Sequence, residues 1–594
     1  MSSDADESND EFQDAVETEL SSTLSSPIYV NTFEADWSLT ELAILQVEEC
    51  VKLFLNSRFN EGEEILEKNF ANSLFHSIGY SVILFIKSLM TFDPKDIQKA
   101  LQVMKNTVDQ AENERYKGGF IGGLTRQVMG QSVHNMKKMS TMQRHAELIH
   151  SEIFIVRAML TLLADDGNGL MTFVKEGVNI RNSYFTYKAS NELLSLAKSK
   201  GLIEQFDIHF ISGVSFGLGM FNVMLSLLPS KVLKIFEIIG FSGDRKYGLS
   251  LLESASEKGG LRAEFCSLGL LLFHTVIGPH LQLHDYDLNT AQAILNKSLT
   301  LYPNSSLFLF FSGRLSFSKG CFKHAKREYE KSIASQSEWI QLHHICYWEM
   351  AVCSFHELEF SEAEKYFALL VRDNKWSKAS YTYFLAISKY MQNDSGQMDK
   401  IKELMGSIAN LTRKIAGKSI PIEKFVARKA RTFSAQCNRL FFPVFEFLVL
   451  WNGFSRMSQE KLQQCWDMIN NEITSGVQLT YDDICLSVLV KAIIARFIKT
   501  PQEDAGKLFQ QFFDQESAIK FDHWMAPVAH MEFAKFCMSK GQFELAAEHL
   551  KLAKKNYKHY SLENSILIKI HNCKNKLFAL SDKNQFAEND GNED

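Results

Sequence analysis

The chain has 594 residues, more than a single compact core usually holds, so we expect several domains or an extended repeat array. The hydrophobic content of 45% is ordinary, and the net charge of -6 gives no case for nucleic acid binding, which calls for a basic domain. Only nine prolines occur, where an average usage of about 5% predicts roughly 30. Long uninterrupted helices are therefore expected.

The ten cysteines occur singly, without a CxxC pair, and the N-terminus lacks the early positive charge that secretory signals need. We therefore expect reduced thiols in a cytoplasmic protein. The seventeen histidines show no HExxH or comparable spacing, so no metal site and no cofactor are expected.

Both ends of the chain are polar and acidic. Residues 1–36 are rich in Ser, Asp and Glu, and the first basic residue is Lys52. Residues 581–594 close with the letters AENDGNED. Such segments bury too little apolar surface to offset the entropy lost on ordering, so we expect a disordered acidic leader and a disordered acidic tail.

Helical periodicity begins near Trp37 and continues through most of the chain. A capping signal is predicted at 38–41, and apolar residues then recur every three or four positions on one helix face. These residues are Ile44, Val47, Val51, Phe54 and Leu55. Since no run of alternating apolar and polar residues is flanked by turn dipeptides, the predicted class is all-α.

The longest apolar stretch, residues 206–244, has three interpretations. Residues 208–228 contain no charged side chain, a length that could cross a bilayer as a helix. The letters GVSFG around Ser215 have the spelling of a hydrolase nucleophile elbow. The third interpretation is a buried helical hairpin, and it is favoured because the apolar second half carries Lys234 and Glu237.

Two further expectations concern this stretch. The small residues Gly213, Gly217 and Ser226 are predicted to allow close contact between helices rather than to serve catalysis. If Phe216, Phe221 and Leu225 faced solvent in one patch, contact with lipid would become the better interpretation.

Internal repeats of helix pairs are the clearest sign of the architecture. Ala291 and Ala325 are 34 residues apart, the period of a tetratricopeptide repeat. Between them an aromatic, a small residue at a helix crossing and a turn glycine follow in order, at Phe308, Gly313 and Gly320. The pattern of the second helix recurs as Phe322, Ala325 and Tyr329, as Phe360, Ala363 and Phe367, and as Phe543, Ala546 and Leu550.

Because a single helix pair cannot bury its own faces, such pairs must stack. The predicted architecture is therefore a tetratricopeptide-like helical-repeat solenoid with a central apolar hairpin. We expect helical hairpins over residues 37–244, tetratricopeptide repeats over 245–395 and a C-terminal helical or repeat region over 396–580.

Several long motifs resemble one known family. They include FGLGMFNVMLSLLPSKVLKIFEIIGFSGDRKYGL from Phe216, HAELIHSEI at 145–153, AGKSIPIEKFVARKARTF at 416–433 and LWNGF at 450–454. The chain resembles the animal branch of the tetratricopeptide repeat protein 39 family, which is related to the fungal inclusion body clearance proteins. The resemblance implies an intracellular, non-enzymatic helical adaptor linked to lipid homeostasis, lipid droplets or protein clearance. It implies no catalytic residues.

A partner-binding groove is predicted from the repeat offsets. If Gly313 and Ala351 lie where the two helices of a pair cross, nearby residues face the concave side of the solenoid. This rule selects six residues: Phe310, Arg314, Phe317, Trp348, Phe355 and His356. Aromatic side chains with one arginine could grip a partner segment. The alternative is that several of them pack within the solenoid.

A basic run between residues 413 and 431 has only Glu423 against it. Lys424, Arg428 and Arg431 are spaced four and three apart and therefore share one helix face. Such a face could bind an acidic peptide or anionic lipid head groups, while the alternative is a solvated face that balances acidic neighbours.

These features together predict a non-enzymatic scaffold that binds protein partners through the concave repeat surface. No nucleic acid and no small-molecule substrate is expected. A peripheral protein of a membrane or lipid-droplet surface is one alternative. A serine hydrolase using Ser215 is the other.

Overall fold

The structure is a computed structural model. It describes residues 34–117, 131–161, 169–228, 241, 243–415 and 418–590. The chain divides into two compact units, Met1–Leu270 (unit 1) and Leu271–Asp594 (unit 2). Residues 1–33 of the predicted acidic leader and residues 591–594 of the predicted tail lie outside the described residues. Residues 34–36 and 581–590, which were predicted to be disordered, belong to helices.

The described part of unit 1 is built of helices. In chain order they are α1 (Glu34–Leu55), α2 (Phe59–Asn69), α3 (Leu74–Thr91), α4 (Pro94–Glu114), α5 (Val133–Lys138), α6 (Thr141–Thr161), α7 (Gly169–Ser199), α8 (Ile208–Ser226), α9 (Arg245–Lys258) and the start of α10 (Ala263–Leu272). A 3₁₀ turn, Ile203–Gln205, precedes α8.

Side-chain caps set where several of these helices begin. Ser73, Asp93 and Asp207 each accept a hydrogen bond from a backbone N–H in the first turn of α3, α4 and α8. Pro94 occupies the first position of α4, where its missing N–H has no cost. Helix α1 begins at Glu34, earlier than the capping signal at 38–41 predicted, because Glu34–Trp37 contains no helix breaker.

Glycines bring α8 close to its neighbours. A Cβ atom at Gly217 would lie 2.0 Å from Cε1 of Tyr187 on α7, and one at Gly213 would lie 2.5 Å from Cδ2 of Leu148 on α6. No larger residue fits at either position without moving these side chains. The predicted role of the two glycines in close helix contact is confirmed.

The end of α8 packs against aromatic side chains. The ring of Phe221 lies 5.6 Å from that of Tyr184 on α7 and stacks on Phe241 at 6.4 Å. Phe241 itself is buried. Residues 229–240, which include most of the predicted second half of the apolar hairpin, lie outside the described residues.

Unit 2 continues as a series of helix pairs. Its helices are α11 (Gly278–Leu281), α12 (Leu288–Leu301), α13 (Ser306–Ser318), α14 (Phe322–Ala334), α15 (Ile340–His356), α16 (Phe360–Asp373), α17 (Lys378–Tyr390), α18 (Met398–Leu411), α19 (Pro421–Ala435), α20 (Pro443–Leu450), α21 (Gln459–Thr474), α22 (Tyr481–Ala495), α23 (Ala505–Gln515), α24 (Met525–Ser539), α25 (Phe543–Lys555) and α26 (Glu563–Asp590). A π-helical turn, Phe273–Ile277, precedes α11, and a 3₁₀ turn, Phe454–Arg456, follows α20.

The repeat positions pack as predicted. A Cβ atom at Gly313 on α13 would lie 2.3 Å from Cε1 of Tyr329 on α14, so the two helices approach closely at this crossing. Gly320 makes the intervening turn with φ +75°, a conformation that favours glycine. Ala325 and Ala363 are fully buried, and their small side chains allow the paired helices to approach closely. The helical-repeat architecture is confirmed.

Later segments of unit 2 pack against earlier ones. The ring of Phe447 on α20 lies 5.8 Å from Phe355 on α15 and 5.2 Å from Phe384 on α17. On α26, the side-chain amide of Asn572 donates to the carbonyl of Leu281 at 2.8 Å. The first repeats are therefore covered in part by helices that come much later in the sequence.

The only strands among the described residues are β1 (Lys414–Ile415) and β2 (Lys418–Ser419), which form a short antiparallel ladder just before α19. Four strand residues do not alter the class. The all-α prediction is confirmed.

Candidate functional site

The six residues predicted to line a partner groove lie mostly inside unit 2. Arg314, Phe317, Phe355 and His356 are buried, with Phe355 and His356 at 0% and 1% exposure. Their present contacts are with the protein's own helices, as the packing alternative described. Partner binding by these side chains remains a prediction.

Phe310 and Trp348 are half-buried. The indole of Trp348 lies 5.4 Å from the ring of Phe384 and 6.0 Å from that of Tyr381, both on α17. Phe310 lies 5.8 Å from the ring of Tyr329. Both side chains keep part of their surface open. Trp348 contacts the following helix pair, and Phe310 packs within its own pair.

Arg314 forms a buried ion pair with Glu349 on α15. Its second terminal nitrogen donates to the carbonyl of Thr275 at 3.0 Å, within the π-helical turn. Burial alone would lower the pKa of Arg314, but the charge of Glu349 outweighs it and raises the pKa. Arg314 therefore stays charged and fixed in the interior.

His356 is held as a neutral side chain. Its Nδ1 atom lies 2.8 Å from the carbonyl of Val352, which can only accept, so Nδ1 carries the proton. Its Nε2 atom is buried without a hydrogen-bond partner. Burial lowers the pKa of His356 to about 3. The ring lies 5.1 Å from that of Phe317.

The basic side chains Lys424, Arg428 and Arg431 form one face of α19, which we call the basic face. Lys424 and Arg431 are exposed and Arg428 is half-buried. None of the three forms an ion pair with another residue in the described part of the chain. The three basic side chains therefore lie together on one surface face of α19, as the spacing predicted.

The one acid of this run, Glu423, is turned away from the basic face. It is fully buried and accepts hydrogen bonds from the Ser377 hydroxyl at 2.7 Å and from the backbone N–H of Arg413 at 2.5 Å. Its charge is therefore engaged by interior donors, and the outward side of α19 is purely basic.

Comparison with known proteins places this fold in a family. The family described as Iml2/Tetratricopeptide repeat protein 39 matches residues 48–498. The chain belongs to the Iml2/tetratricopeptide repeat protein 39 family. It is 33% identical over 548 residues to the Tetratricopeptide repeat protein ttc-39B of Caenorhabditis elegans, covering 89% of this chain and 91% of that protein.

A solved structure also aligns with most of this chain. It is described as a circular tandem repeat protein with novel repeat topology and enhanced subunit contact surfaces, and it covers 93% of this chain and 99% of its own. The identity is 10% and the TM-score is 0.15.

In this family member the letters GVSFG do not form a nucleophile elbow. Ser215 lies in the middle of the continuous helix α8, whereas the elbow requires a strand, a sharp turn and then a helix. The backbone that would expose the serine hydroxyl is absent from Ile208–Ser226.

Three helices among the described residues are apolar and long enough to cross a membrane: Leu74–Thr91, Ile208–Ser226 and Ala263–Leu281. Their buried shares are 56%, 56% and 50%. Phe216, Phe221 and Leu225 do not form a solvent-facing patch, since Leu225 is buried and both phenylalanines are half-buried. The ring of Phe216 lies 6.3 Å from Phe265.

His280, Arg456 and Lys569, which the fold brings near Arg314, were not predicted from the sequence. These residues come from α11, the 3₁₀ turn after α20, and α26. They share no spacing or motif, so no signal in the sequence groups them.

Proposed function

We propose that this chain is a non-enzymatic scaffold that holds protein partners on its helical repeats. The observation that carries the proposal is the basic face, whose three cations have no acidic partner among the described residues. Stacked helix pairs provide a rigid frame on which such a face keeps a fixed geometry. The concave repeat surface is the second part of the proposed partner site.

The partner proposed for the basic face is an acidic protein segment. Lys424, Arg428 and Arg431 present cations along one side of α19, and an acidic helix or extended segment would match their spacing. Charge complementarity at an exposed surface raises the association rate and makes binding salt-dependent.

Charge reversal of the basic face tests this function. We expect the variant carrying Lys424→Glu, Arg428→Glu and Arg431→Glu to lose about tenfold or more of its crosslinked protein partners in cells, as measured by quantitative mass spectrometry. Loss of complementary charge is the reason.

The matched control reverses three lysines that already pair with an acid of their own helix. Lys331, Lys400 and Lys402 pair with Glu328, Glu403 and Asp399. We expect this control to keep its partners. Equal recovery of partners by both variants would contradict the proposed role of the basic face.

Peripheral contact with an anionic lipid surface is a second candidate function. The basic face supplies the charge, and the three apolar helices supply surface that is only partly buried. The link to lipid homeostasis, lipid droplets or protein clearance that the family resemblance implies belongs to this second proposal.

Flotation with liposomes tests the lipid candidate. We expect binding to liposomes that contain phosphatidylserine, weaker binding to neutral liposomes, and loss of binding when the basic face is reversed to glutamate. Flotation that charge reversal leaves unchanged would exclude the basic face as the lipid contact.

A cytoplasmic location is part of the proposal. None of the ten cysteines forms a disulfide, and eight of them are buried. Burial raises the pKa of several thiols, for example to about 11 at Cys50 and Cys537, so they act as small apolar side chains. Fractionation with a lumenal marker, together with a disulfide-bonded form of the chain, would contradict this location.

A further inference from the structure

Two arginines of unit 2 share one aromatic ring. The guanidinium carbons of Arg314 and Arg456 lie 4.8 Å and 5.3 Å from the centroid of the Phe317 ring. The imidazole of His280 lies 6.1 Å from the indole of Trp451, five residues before Arg456. Basic groups from α11, α13 and the turn after α20 therefore converge.

Lys569 on α26 joins this group. Its ammonium donates to the carbonyl of Leu450, the residue before Trp451, at 2.6 Å. We call His280, Arg314, Arg456 and Lys569 the basic cluster. The 3₁₀ turn that carries Arg456 is fixed from the other side, because a Cβ atom at Gly320 would lie 2.6 Å from the Arg456 carbonyl.

The basic cluster contains more positive than negative charge. Glu349 lies beside it, but Arg314 already binds that carboxylate. Within the described residues, the guanidinium of Arg456 forms no hydrogen bond or ion pair, and Lys569 has no carboxylate at ion-pair distance. Two cations are therefore uncompensated.

The remaining acid whose charge reaches Lys569 is also engaged. Glu532 on α24 is bound by Arg496 and by Lys535, the latter at 2.5 Å. This acid therefore brings no net negative charge to the cluster. The surroundings leave the excess positive charge in place.

The cost of this arrangement is visible in the pKa values. Burial, with repulsion from Lys535 and Arg456, lowers the pKa of Lys569 to about 7. Burial and the charge of Arg314 lower the pKa of Arg456 to about 10. A bound anion would oppose both effects, since an opposite charge favours the protonated form.

Two of the four members of the basic cluster are half-buried, whereas Arg314 and Lys569 are buried. Arg456 and His280 are enclosed by protein on most sides, yet both keep part of their surface open to solvent. Beside them, Nε2 of buried His356 and Nε of buried Arg314 lack hydrogen-bond partners. Unsatisfied buried polar atoms therefore lie beside two basic side chains that are themselves only half-buried.

We propose that the basic cluster of unit 2 binds a small ligand through a phosphate ester group. Arginine presents a planar fork of donors that matches phosphate oxygens, and lysine adds a point charge. A phosphate ester carries about -1.5 to -2 charges at neutral pH, which balances Arg456 and Lys569, whereas a carboxylate balances only one of them. The ligand is a different entity from the protein partner proposed for the basic face.

Binding of defined phosphate compounds to the full chain tests the proposal. We expect inorganic phosphate and glycerol 3-phosphate to raise the melting temperature more than chloride does at equal ionic strength, and to give a saturable signal by titration calorimetry. Arg456→Gln should raise the dissociation constant about tenfold or more, because it removes a charge-assisted bidentate contact.

Lys569→Met is a second variant, which is needed in case Arg456→Gln loses phosphate binding only because it unfolds. This change removes a buried cation, so the protein should fold at least as well, yet its response to phosphate should fall by about tenfold. The variant with the reversed basic face should keep the full response, which separates this site from the proposed partner surface. Lys400→Gln, at an exposed paired lysine, should also keep it.

Three results would overturn the proposal: no response of the natural chain beyond that to chloride, an unchanged response in both Arg456→Gln and Lys569→Met, or binding of a glutamate-rich peptide without binding of phosphate. A comparison with vesicles that contain phosphatidic acid identifies the source of the phosphate. Flotation that depends on Arg456 assigns a lipid head group, and binding of glycerol 3-phosphate without flotation assigns a free phosphate ester.

Discussion

Two buried lysines of unit 2 differ in their counter-charges: Lys429 faces two carboxylates, and Lys569 faces none in the described part of the chain. Lys429 on α19 lies 2.6 Å from a carboxylate oxygen of Glu446 and 2.8 Å from one of Asp522. Burial alone would lower its pKa, but these two acids outweigh it and raise the pKa. Lys569 on α26 has only the Leu450 carbonyl, and burial lowers its pKa to about 7.

Lys429 shows how this fold accommodates a buried cation that serves stability: it surrounds the cation with acids. Burial raises the pKa of Glu446 despite Lys429, and two carboxyl groups face the single ammonium of Lys429, so its positive charge is compensated. No such balance exists around Lys569. An apolar side chain would fill this buried position with less loss of stability than an unpaired lysine does. The presence of Lys569 is therefore better explained by ligand binding than by stability.

The largest expected effect is at the balanced lysine. Lys429→Met should lower the free energy of unfolding by about 3–5 kcal/mol, because it leaves Asp522 buried without its counter-charge. Chemical denaturation of the full chain measures this loss. Lys424→Met, at an exposed position of the same helix, is the control and should be nearly neutral. Equal free energies of unfolding for the two variants would contradict a stabilising role for Lys429.

A second variant removes the carboxylate next to the basic cluster. Glu349→Gln should destabilise the chain by about 3 kcal/mol, because the buried Arg314 loses its partner beside Arg456 and Lys569. Added phosphate should recover part of the loss. Glu403→Gln, at an exposed pair with Lys400, should cost less than about 1 kcal/mol. If phosphate stabilised Glu349→Gln no more than it stabilises the natural chain, the result would contradict phosphate binding at the basic cluster.

The smallest effect has the opposite sign. Lys569→Met should raise the free energy of unfolding at pH 7 by about 1–2 kcal/mol, since a buried cation without a carboxylate is replaced by an apolar side chain of similar length. A loss of stability comparable to that of Lys429→Met would contradict the comparison.

The advantage of Lys569→Met should depend on pH. The folded pKa of Lys569, about 7, lies below its ordinary value of 10.5, so the penalty is fully present below pH 7 and disappears as pH rises to 10.5. The charged groups that act on it are Lys535, Glu532 and Arg456, with His280 beside it. Unfolding measured from pH 7 to 10 should show the natural chain gaining on the variant. Parallel curves would exclude a lowered pKa.

The architecture could be predicted from local pattern because the decisive contacts are local. Gly313, Ala325 and Tyr329 meet within one helix pair, and their spacing alone indicates a close crossing. The basic face could be predicted for the same reason, since Lys424, Arg428 and Arg431 share a single helix.

The interior sites could not be predicted in this way. The offset rule that selected Phe355 treats a repeat as if its concave side were open, but Phe447 on α20 covers that ring. His280 and Lys569 meet only after α26 has packed against the start of unit 2. Contacts between segments this far apart leave no spacing signal in the sequence.

The most direct measurement is the free energy of unfolding of the natural chain and of Lys569→Met, each with and without saturating phosphate. Without phosphate, the variant should be at least as stable as the natural chain. With phosphate, the advantage of the variant should shrink by about 1.4 kcal/mol, the equivalent of a tenfold weaker dissociation constant, because only the natural chain retains both uncompensated cations. An advantage that is the same in both conditions would contradict the claim that Lys569 is kept for binding.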